Sequence, residues 1–249
     1  MNDRTIRLNN VSHMYGAVQV IRNISMTIHP GEFVALVGPS GCGKTTLLNM
    51  LSGFIKPGSG TVSYQGRGRM VYQQDGLFPW LTVSENIALG LRHIRSEQER
   101  SRQLREMLGF IRLEGFERHY PHQLSGGMRQ RVELARALAG DTDLLLMDEP
   151  FSSLDYLTRL RMRRELSLML QEQPRTVVLV THDIEEAAQL ADRVLVLSGR
   201  PASIQYELRI DQPRPRDLTH PDVVDAIHRV LAELGIEHDI EQVLRAETT

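Results

Sequence analysis

One stretch of the chain combines glycines, a lysine and hydroxyl side chains at a spacing suited to phosphate chemistry. In GPSGCGKTT the spacing G-x-x-x-x-G-K-[ST] falls between an apolar run and a helical pattern, and its fixed positions are Gly38, Gly43, Lys44 and Thr45. Glycines let backbone N–H groups converge on phosphate oxygens, and a helix N-terminus adds partial positive charge. We expect Lys44 to reach the β- and γ-phosphates of a nucleotide and the Thr45 hydroxyl to bind Mg²⁺.

The whole segment is predicted to bind the nucleotide, through Gly38, Pro39, Ser40, Gly41, Cys42, Gly43, Lys44, Thr45 and Thr46. Cys42 occupies a free position of the motif and is read as a small filler. It is the only cysteine of the chain, so no intrachain disulfide can form and a reducing compartment fits.

A pair of carboxylates follows a second apolar run. DLLLMDEP places Asp148 and Glu149 at the end of a predicted strand. Such a pair could be a mere surface turn, but in a chain with a phosphate loop we favour a catalytic role. Asp148 is expected to hold Mg²⁺ through water, and Glu149 to orient and polarise an attacking water. A positioned base contributes about 10²–10⁴ in rate.

A third motif, LSGGMRQRVELARAL at residues 124–138, opens a helix with Ser125, Gly126 and Gly127. Glycine inside a helix costs about 1 kcal/mol, so this opening has poor helix propensity. It makes sense where bare backbone N–H groups must approach an anion. Because the loop at residues 38–45 is already expected to form one phosphate cradle, a second cradle implies a γ-phosphate held between two copies of the chain.

Composition and charge narrow the class of protein. The 249 residues are 41% hydrophobic and 24% charged, with a formal net charge of −2, which is ordinary globular composition. No basic cluster is present, so binding to nucleic acid is not expected. The N-terminus lacks the apolar core of a signal peptide, and no apolar run approaches the roughly 18–20 residues of a spanning helix. We therefore expect a soluble, cytoplasmic chain.

The order of patterns predicts an α/β fold. Alternating or continuous apolar runs predict strands at TIRLNNVSHMY, VQVIRNISMTIH, EFVALVG, DLLLMD, TVVLVTH and RVLVLS, and GTVSYQG and RMVYQ predict a further pair around the turn Gly66–Gly68. Helical patterns follow the phosphate loop, fill residues 82–138, where capping boxes start at Thr82 and Ser96, and lie between the later strands, at DYLTRLRMRRELSLMLQ and IEEAAQLA. An amphipathic helix is predicted near the C-terminus, with Val223, Val224, Ile227, Val230, Leu231 and Leu234 on one face.

Taken together, the motifs resemble the nucleotide-binding subunit of an ATP-binding cassette (ABC) transporter. The resemblance rests on GPSGCGKTT, LSGGMRQR, LLLMDEP, SSLD and VTHD, which occur in the family's order between about residues 3 and 205. It implies a P-loop NTPase (RecA-like) core with an antiparallel β subdomain and an inserted helical subdomain. We predict a single ABC domain, with the core at 1–75 and 140–205, the helical part at 76–139, and a C-terminal extension at 206–249.

The resemblance also implies roles for single residues. Tyr15 is expected to stack on adenine, and Gln73 to touch Mg²⁺ and the attacking water. Ser125 and Gly127 are expected to bind the γ-phosphate held by the opposite subunit. Asp155 would communicate across the dimer, and His182 would contact the γ-phosphate.

The loop QQDGLFPWLT carries three large apolar side chains: Leu77, Phe78 and Trp80. They either fold back on the core or, as the resemblance implies, receive a helix of a membrane permease, and we favour permease contact for at least one ring.

Two segments further resemble importer ATPases of the nitrate, sulfonate and taurine group: GLFPWLTVSENIALGL and YPHQLSGGMRQR. This resemblance implies a subunit peripheral to the cytoplasmic face of the inner membrane, with a solute-binding protein as an indirect partner.

Two features depart from that group: the link around Gly66–Gly68 is short, and Arg129 stands where glutamine is frequent.

Other classes of protein fit the motifs less well. A P-loop kinase or GTPase has no use for LSGG or for His182. A soluble ABC-type clamp of DNA repair or translation, the alternative function, would carry a long coiled-coil insertion or two cassettes. A scaffold protein would not need two anion cradles.

Overall fold

The computed structural model describes residues 4–72 and 76–235. It divides into two compact units, the first formed by the described parts of 1–65 and 176–249 and the second by those of 66–175. Among the described residues, no helix combines the length and the apolar character needed to cross a membrane.

The first unit contains a three-stranded antiparallel sheet. Its strands lie in the order β2-β1-β4, with bounds Ile6–Tyr15 for β1, Val18–Ile28 for β2 and Ser59–Ser63 for β4. Buried and exposed residues alternate over much of β1 and β2, because one face of this sheet packs on the core.

The first unit also contains a mostly parallel sheet segment. The strands β3 (Phe33–Val37), β7 (Thr176–Val180) and β8 (Arg193–Leu197) are buried at every residue, and β3 lies between the other two in parallel. An antiparallel strand β9 (Ile204–Arg209) flanks β8. The last strand predicted from the sequence, RVLVLS, ends at residue 198, so β9 was not predicted.

Helices surround these strands. In the first unit they are α1 (Lys44–Leu51), α6 (Ile184–Leu190) and α7 (Pro221–Glu233). Helix α7 packs on α6 and β9 through Val223, Ala226 and Val230. Beside it, the buried guanidinium of Arg216 donates to the backbone oxygens of Ala188, Ala191, Ile210 and Gln212, and burial lowers its pKa to about 10.

The second unit is mainly helical around two parallel strands, β5 (Gly68–Val71) and β6 (Leu144–Asp148). Its helices are α2 (Val83–Ala88), α3 (Glu97–Ile111), α4 (Gly126–Leu138) and α5 (Tyr156–Glu172), with 3-10 turns at Gly90–His93 and Pro121–Gln123. Helix α4 contacts α2, α3 and β5, so it forms the centre of this unit.

Two local predictions have instructive outcomes. Thr82 and Glu85 form the complete capping box of α2. Ser96 caps α3, but the capping box predicted there is incomplete, because the Glu99 carboxylate accepts bonds from Arg102 and Gln103 instead.

The pair of strands predicted around Gly66–Gly68 is not a hairpin. Strand β4 pairs with β1, and β5 pairs with β6, because the exposed residues of β4 suit a sheet edge and the buried Val71 suits the apolar strand β6.

Candidate functional site

The phosphate loop lies between β3 and α1, as the motif predicts. Strand β3 ends at Val37 and α1 begins at Lys44, with Gly43 as its N-cap at φ 128°. A side chain at that residue would have a Cβ 2.8 Å from Val20 Cγ1 and 2.9 Å from Ile21 Cδ1. Strand β2 lies directly against the loop, so only glycine fits at residue 43.

Lys44 is held inside the loop. It is 8% exposed, and its Nζ donates to the backbone oxygens of Gly38 at 2.7 Å and Pro39 at 2.9 Å. The first turn of α1 contains no acidic residue, so nothing at the helix N-terminus competes with an anion. Cys42 is buried, in keeping with its reading as a filler, and the Thr45 side chain is exposed.

An arginine that the sequence reading missed contacts this loop. The Nε and Nη2 atoms of Arg200 donate to the backbone oxygen of Gly41, with the Nε bond at 3.1 Å. Arg200 follows β8 in an exposed turn, and no local motif points to it. The contact adds a cation to the rim of a loop that is built for phosphate.

Tyr15 lies at the end of the β1–β2 hairpin, where it pairs with Val18. Its ring is 49% exposed and packs edge-on against His13, with centroids 4.8 Å apart. The same strand β2 contacts the phosphate loop through Val20. An exposed aromatic ring on this hairpin is available to stack on a base.

His182 follows β7 at the same edge of the sheet as the phosphate loop. Strands β3 and β7 are parallel with Leu36 opposite Val180, so the residues after each strand emerge side by side. The turn after β7 is fixed by Asp183, whose side chain accepts from the Glu186 N–H at 3.0 Å. His182 itself is exposed.

In the second unit, β6 delivers Asp148 and Glu149. Asp148 is 4% exposed at the strand end, and Glu149 has a left-handed backbone with φ 49°. For a residue other than glycine this conformation costs on the order of 1–3 kcal/mol and needs support from its surroundings. The Glu149 carbonyl oxygen accepts bonds from the Gln130 side chain at 2.9 Å and from the N–H and hydroxyl of Ser152.

Gln130 is a second residue that sequence reasoning missed. It lies on α4, is 5% exposed, and its Oε1 accepts bonds from the N–H and the hydroxyl of Ser153. One buried amide therefore joins the residue after β6 to the turn that precedes Asp155. Its place in the LSGGMRQR motif was visible, but its tertiary contacts were not.

The start of α4 opens onto a pocket of about 400 Å³. Ser125 is the N-cap of the helix and accepts a bond from the Met128 N–H at 3.3 Å. The pocket is lined by the start of α4 and by the segment before α5, including Ser125, Gly126, Gly127, Ser153, Leu154 and Asp155. The structure thus places the first residues of the LSGG helix and Asp155 around one pocket.

Asp155 is the N-cap of α5 and accepts a bond from the Thr158 N–H at 3.0 Å. Hydrogen bonds from the side chain and then the backbone of Thr158 hold the pKa of Asp155 below its usual value. Its carboxylate is therefore ionised at neutral pH at the rim of the pocket.

The aromatic loop lies at the surface of the second unit. Trp80 is 69% exposed and Phe78 is 41% exposed, with ring centroids 5.5 Å apart, whereas Leu77 is buried. The alternative that these two rings fold back on the core is therefore wrong. Beside them lies an open pocket of about 500 Å³ whose lining includes Gly76, Phe78, Trp80, Arg69, Arg92 and Arg136. Gln73 lies outside the described residues.

The residues present fit a magnesium nucleotide. Mg²⁺ prefers oxygen ligands and is usually held by one or two protein groups together with water and substrate phosphates. In the first unit, the exposed Thr45 hydroxyl on the first turn of α1 is a ligand of this kind. In the second unit, the Asp148 carboxylate at the end of β6 is another. A P-loop, a strand-end carboxylate pair and a glycine-started helix define an ATPase of the P-loop class.

The comparisons with known proteins identify the family. Residues 21–152 match the family model described as ABC transporter. The chain is 47% identical to the aliphatic sulfonates import ATP-binding protein of Rhodococcus jostii, over 83% of either chain. It is 44% identical to the nitrate import ATP-binding protein of Synechococcus elongatus, over 81% of this chain and 32% of that protein.

A solved structure supports the same assignment. The dimeric structure of a bacterial ABC transporter cassette superposes with a TM-score of 0.75 at 34% identity, covering 83% of this chain and 99% of the other. The chain belongs to the ABC transporter family. It is an ATP-binding cassette and an ATPase, and the fold predicted from the sequence is confirmed.

Proposed function

We propose that this chain is the ATP-hydrolysing subunit of an importer and works as a dimer of two copies. The pocket at the start of α4 carries this proposal, because it is a second candidate anion-binding feature in a chain that already has a complete phosphate loop. In the dimer, Ser125, Gly126 and Gly127 bind the γ-phosphate held by the loop of the second copy. Asp155, at the rim of the pocket, communicates between the two sites.

Residues 38–46 bind the phosphates of ATP, and Tyr15 stacks on adenine. Lys44 exchanges its bonds to the backbone oxygens of Gly38 and Pro39 for bonds to the β- and γ-phosphates. This exchange keeps the ammonium paired in both states, so the buried cation is compensated whether or not nucleotide is bound.

Thr45, Asp148 and Gln73 hold Mg²⁺ in this proposal. Mg²⁺ held by these residues would neutralise part of the charge on the phosphates of ATP. Thr45 contributes a hydroxyl oxygen, Asp148 acts through water, and Gln73 contributes a side-chain oxygen.

Glu149 is the general base of hydrolysis. Its carboxylate accepts a proton from the attacking water, whose oxygen forms the new bond to the γ-phosphorus as the bond to ADP breaks. His182 donates a hydrogen bond to the γ-phosphate, and Gln73 orients the water. The left-handed backbone of Glu149, held by Gln130, fixes the direction of that side chain.

The loop with Leu77, Phe78 and Trp80 is proposed to dock a membrane permease. Exposed aromatic rings beside an open pocket are the residues that dominate protein interfaces. Leu77 is buried, so it anchors the loop while the two rings stay exposed. The chain then lies at the cytoplasmic face of the inner membrane as a peripheral subunit, and a solute-binding protein acts on it only through the permease.

The transported solute is proposed to be a small anion such as a sulfonate, nitrate or taurine. Relatives that import sulfonates and nitrate, by their names, share 47% and 44% identity with this chain, which supports the anion class. Selectivity among such anions is placed in the permease and the binding protein.

The dimer is tested with the Glu149→Gln variant, which is expected to bind MgATP without hydrolysing it. Light scattering after gel filtration is expected to show a dimer with MgATP and a monomer without nucleotide. Adding Ser125→Arg should abolish the dimer while ATP binding is kept, because the arginine fills the pocket at the start of α4. Ser63→Arg, on exposed β4, is the matched control. Equal dimer fractions with Ser125→Arg and Ser63→Arg would contradict the proposal.

A further inference from the structure

Glu133 is a buried acidic side chain on α4 to which no sequence motif gave a role. It lies in VELARAL, within the helix that begins at Gly126, and is 1% exposed. A buried carboxylate is costly unless its oxygens accept hydrogen bonds and its charge is compensated. The partners of Glu133 therefore indicate why it is there.

The two carboxylate oxygens bind backbone groups on both sides of one short segment. Oε1 accepts a bond from the Tyr72 N–H at 3.2 Å, and Oε2 accepts one from the Gly76 N–H at 3.0 Å. Residues 73–75 lie between these two positions in the chain, and the first of them is Gln73. A single side chain thus anchors both flanks of the segment that carries this glutamine.

The charge of Glu133 is compensated by a neighbour on the same helix. Arg136 Nη2 lies 3.9 Å from Glu133 Oε1, and both side chains are largely buried. The guanidinium also lies 5.6 Å from the centre of the Phe78 ring. Burial lowers the pKa of Arg136, and the charge of Glu133 opposes that shift and so favours the charged guanidinium.

The same contact leaves no room for a side chain at residue 76. A Cβ built at residue 76 would lie 2.7 Å from Glu133 Oε1 and 3.2 Å from Arg136 Nη2. The absence of a side chain is what allows the carboxylate to approach the backbone this closely. Because the atoms met are ends of side chains and not backbone, an alanine there shifts the carboxylate and leaves the backbone in place.

We propose that Glu133 is a positioning residue for ATP hydrolysis, because it fixes both ends of the segment that contains Gln73. The inference rests on the proposed role of Gln73 at Mg²⁺ and the attacking water. Loss of the carboxylate frees both flanks, Tyr72 and Gly76, and hydrolysis slows because Gln73 lies between them in the chain. Nucleotide affinity is set mainly by residues 38–46 and Tyr15, so it changes little.

Two independent variants disturb the contact: Glu133→Ala removes the carboxylate, and Gly76→Ala displaces it. Each is expected to lower kcat about tenfold or more, with KM for ATP within about twofold, since small misplacements near the reacting groups cost up to about 10² in rate. Glu133→Gln, which keeps one good acceptor oxygen, should give an intermediate kcat. The double variant Glu133→Ala/Gly76→Ala should be no slower than Glu133→Ala alone, because both changes act on one contact.

The matched control is Thr142→Val. Thr142 is 7% exposed, and its hydroxyl binds the backbone oxygens of Arg67 and Leu144, so its loss also removes buried hydrogen bonds in the second unit. The control should lower the melting temperature but leave kcat unchanged. An unchanged kcat in folded Gly76→Ala, or an equal fall in Thr142→Val, overturns the positioning role.

Two further measurements complete the test. In the wild-type chain the Gly76 amide should be protected from hydrogen exchange, and an unprotected amide overturns the proposal without any variant. Gln73→Ala should lower kcat at least as much as Glu133→Ala. If Gln73→Ala leaves kcat unchanged, the proposed role of Gln73 fails, and the role of Glu133 fails with it. If only the Glu133 and Gly76 variants leave kcat unchanged, the role of Gln73 stands and that of Glu133 alone is refuted.

Discussion

The side-chain nitrogen of Gln130 lies 2.9 Å from the backbone oxygen of Glu149. This bond joins the helix that begins at the LSGG motif to the residue proposed as general base. Glu149 has a left-handed backbone, so its conformation depends on such contacts. The buried amide of Gln130 also binds Ser153, two residues before Asp155. The base and the rim of the α4 pocket therefore share one support.

Gln130→Ala is expected to lower kcat by roughly 10- to 100-fold with little change in ATP binding. Without the amide, the strained backbone of Glu149 relaxes and its carboxylate moves, and a shift of about 1 Å near the reaction can cost 10² in rate. Steady-state ATPase assays and nucleotide titration separate the two effects. Gln103→Ala on α3 is the control, since that amide binds only the nearby Glu99 among the described contacts. Equal losses in both variants would speak against this role of Gln130.

Lys44→Ala is expected to weaken ATP binding and to block hydrolysis. The ammonium is the buried cation of the phosphate loop, and no other side chain in the described part of α1 carries a positive charge. Charge-assisted bonds to phosphate are about twice as strong as neutral ones. Titration with a fluorescent ATP analogue and an ATPase assay measure the two losses. Lys56→Ala, at the only other lysine of the chain and in an exposed loop, should behave as wild type.

Much of the fold could be predicted because its signals are local. Continuous apolar runs identify β3, β6, β7 and β8, whose residues are all buried, and the glycine spacing identifies the loop between β3 and α1. The cap of α2 at Thr82 also follows from side chains three residues apart. These patterns involve residues that are close in the sequence, so they can be recognised without knowledge of the tertiary structure.

The contacts that organise the second unit could not be predicted in this way. Glu133 binds backbone groups about 60 residues earlier in the chain, and Gln130 binds groups about 20 residues later. Their burial is set by how α4 packs, not by their own sequence neighbourhood. The same holds for strand β9, which has alternating exposure and exists because β8 offers it an edge.

Asn86→Ala should lower the free energy of unfolding by about 2–4 kcal/mol, because buried backbone groups lose their partners. Asn86 is fully buried on α2, accepts from the Phe78 N–H, and donates to the backbone oxygens of Phe78, Leu81 and Thr82. Urea denaturation measures the loss. Asn9→Ala on the exposed side of β1 should change stability by less than about 0.5 kcal/mol. A similar small change for Asn86→Ala would show that these bonds contribute little.

Stability should fall in acid partly through Glu85. Bonds from the backbone N–H and then the hydroxyl of Thr82 hold the pKa of Glu85 below its usual value. A carboxyl group with a lower pKa in the folded state stabilises the fold above its unfolded pKa of about 4.3, and this contribution is lost as the pH falls through the folded pKa. Glu85→Gln should therefore reduce stability at neutral pH but not in strong acid. Urea unfolding of both chains across this range tests the sign; a difference that persists in strong acid would contradict it.

The double variant Phe78→Ala/Trp80→Ala should leave ATPase activity and melting temperature of the isolated chain nearly unchanged, while solute uptake with the permease is lost. The two rings are 41% and 69% exposed and pack on each other, so their removal opens no core cavity. Docking depends on them because aromatic anchors provide much of the binding energy of an interface. Phe54→Ala, at a phenylalanine that is 78% exposed in the other unit, is the matched control and should leave uptake intact. Normal uptake by the double variant would remove the aromatic loop from the permease interface, whereas unfolding would assign the rings a structural role that their exposure argues against.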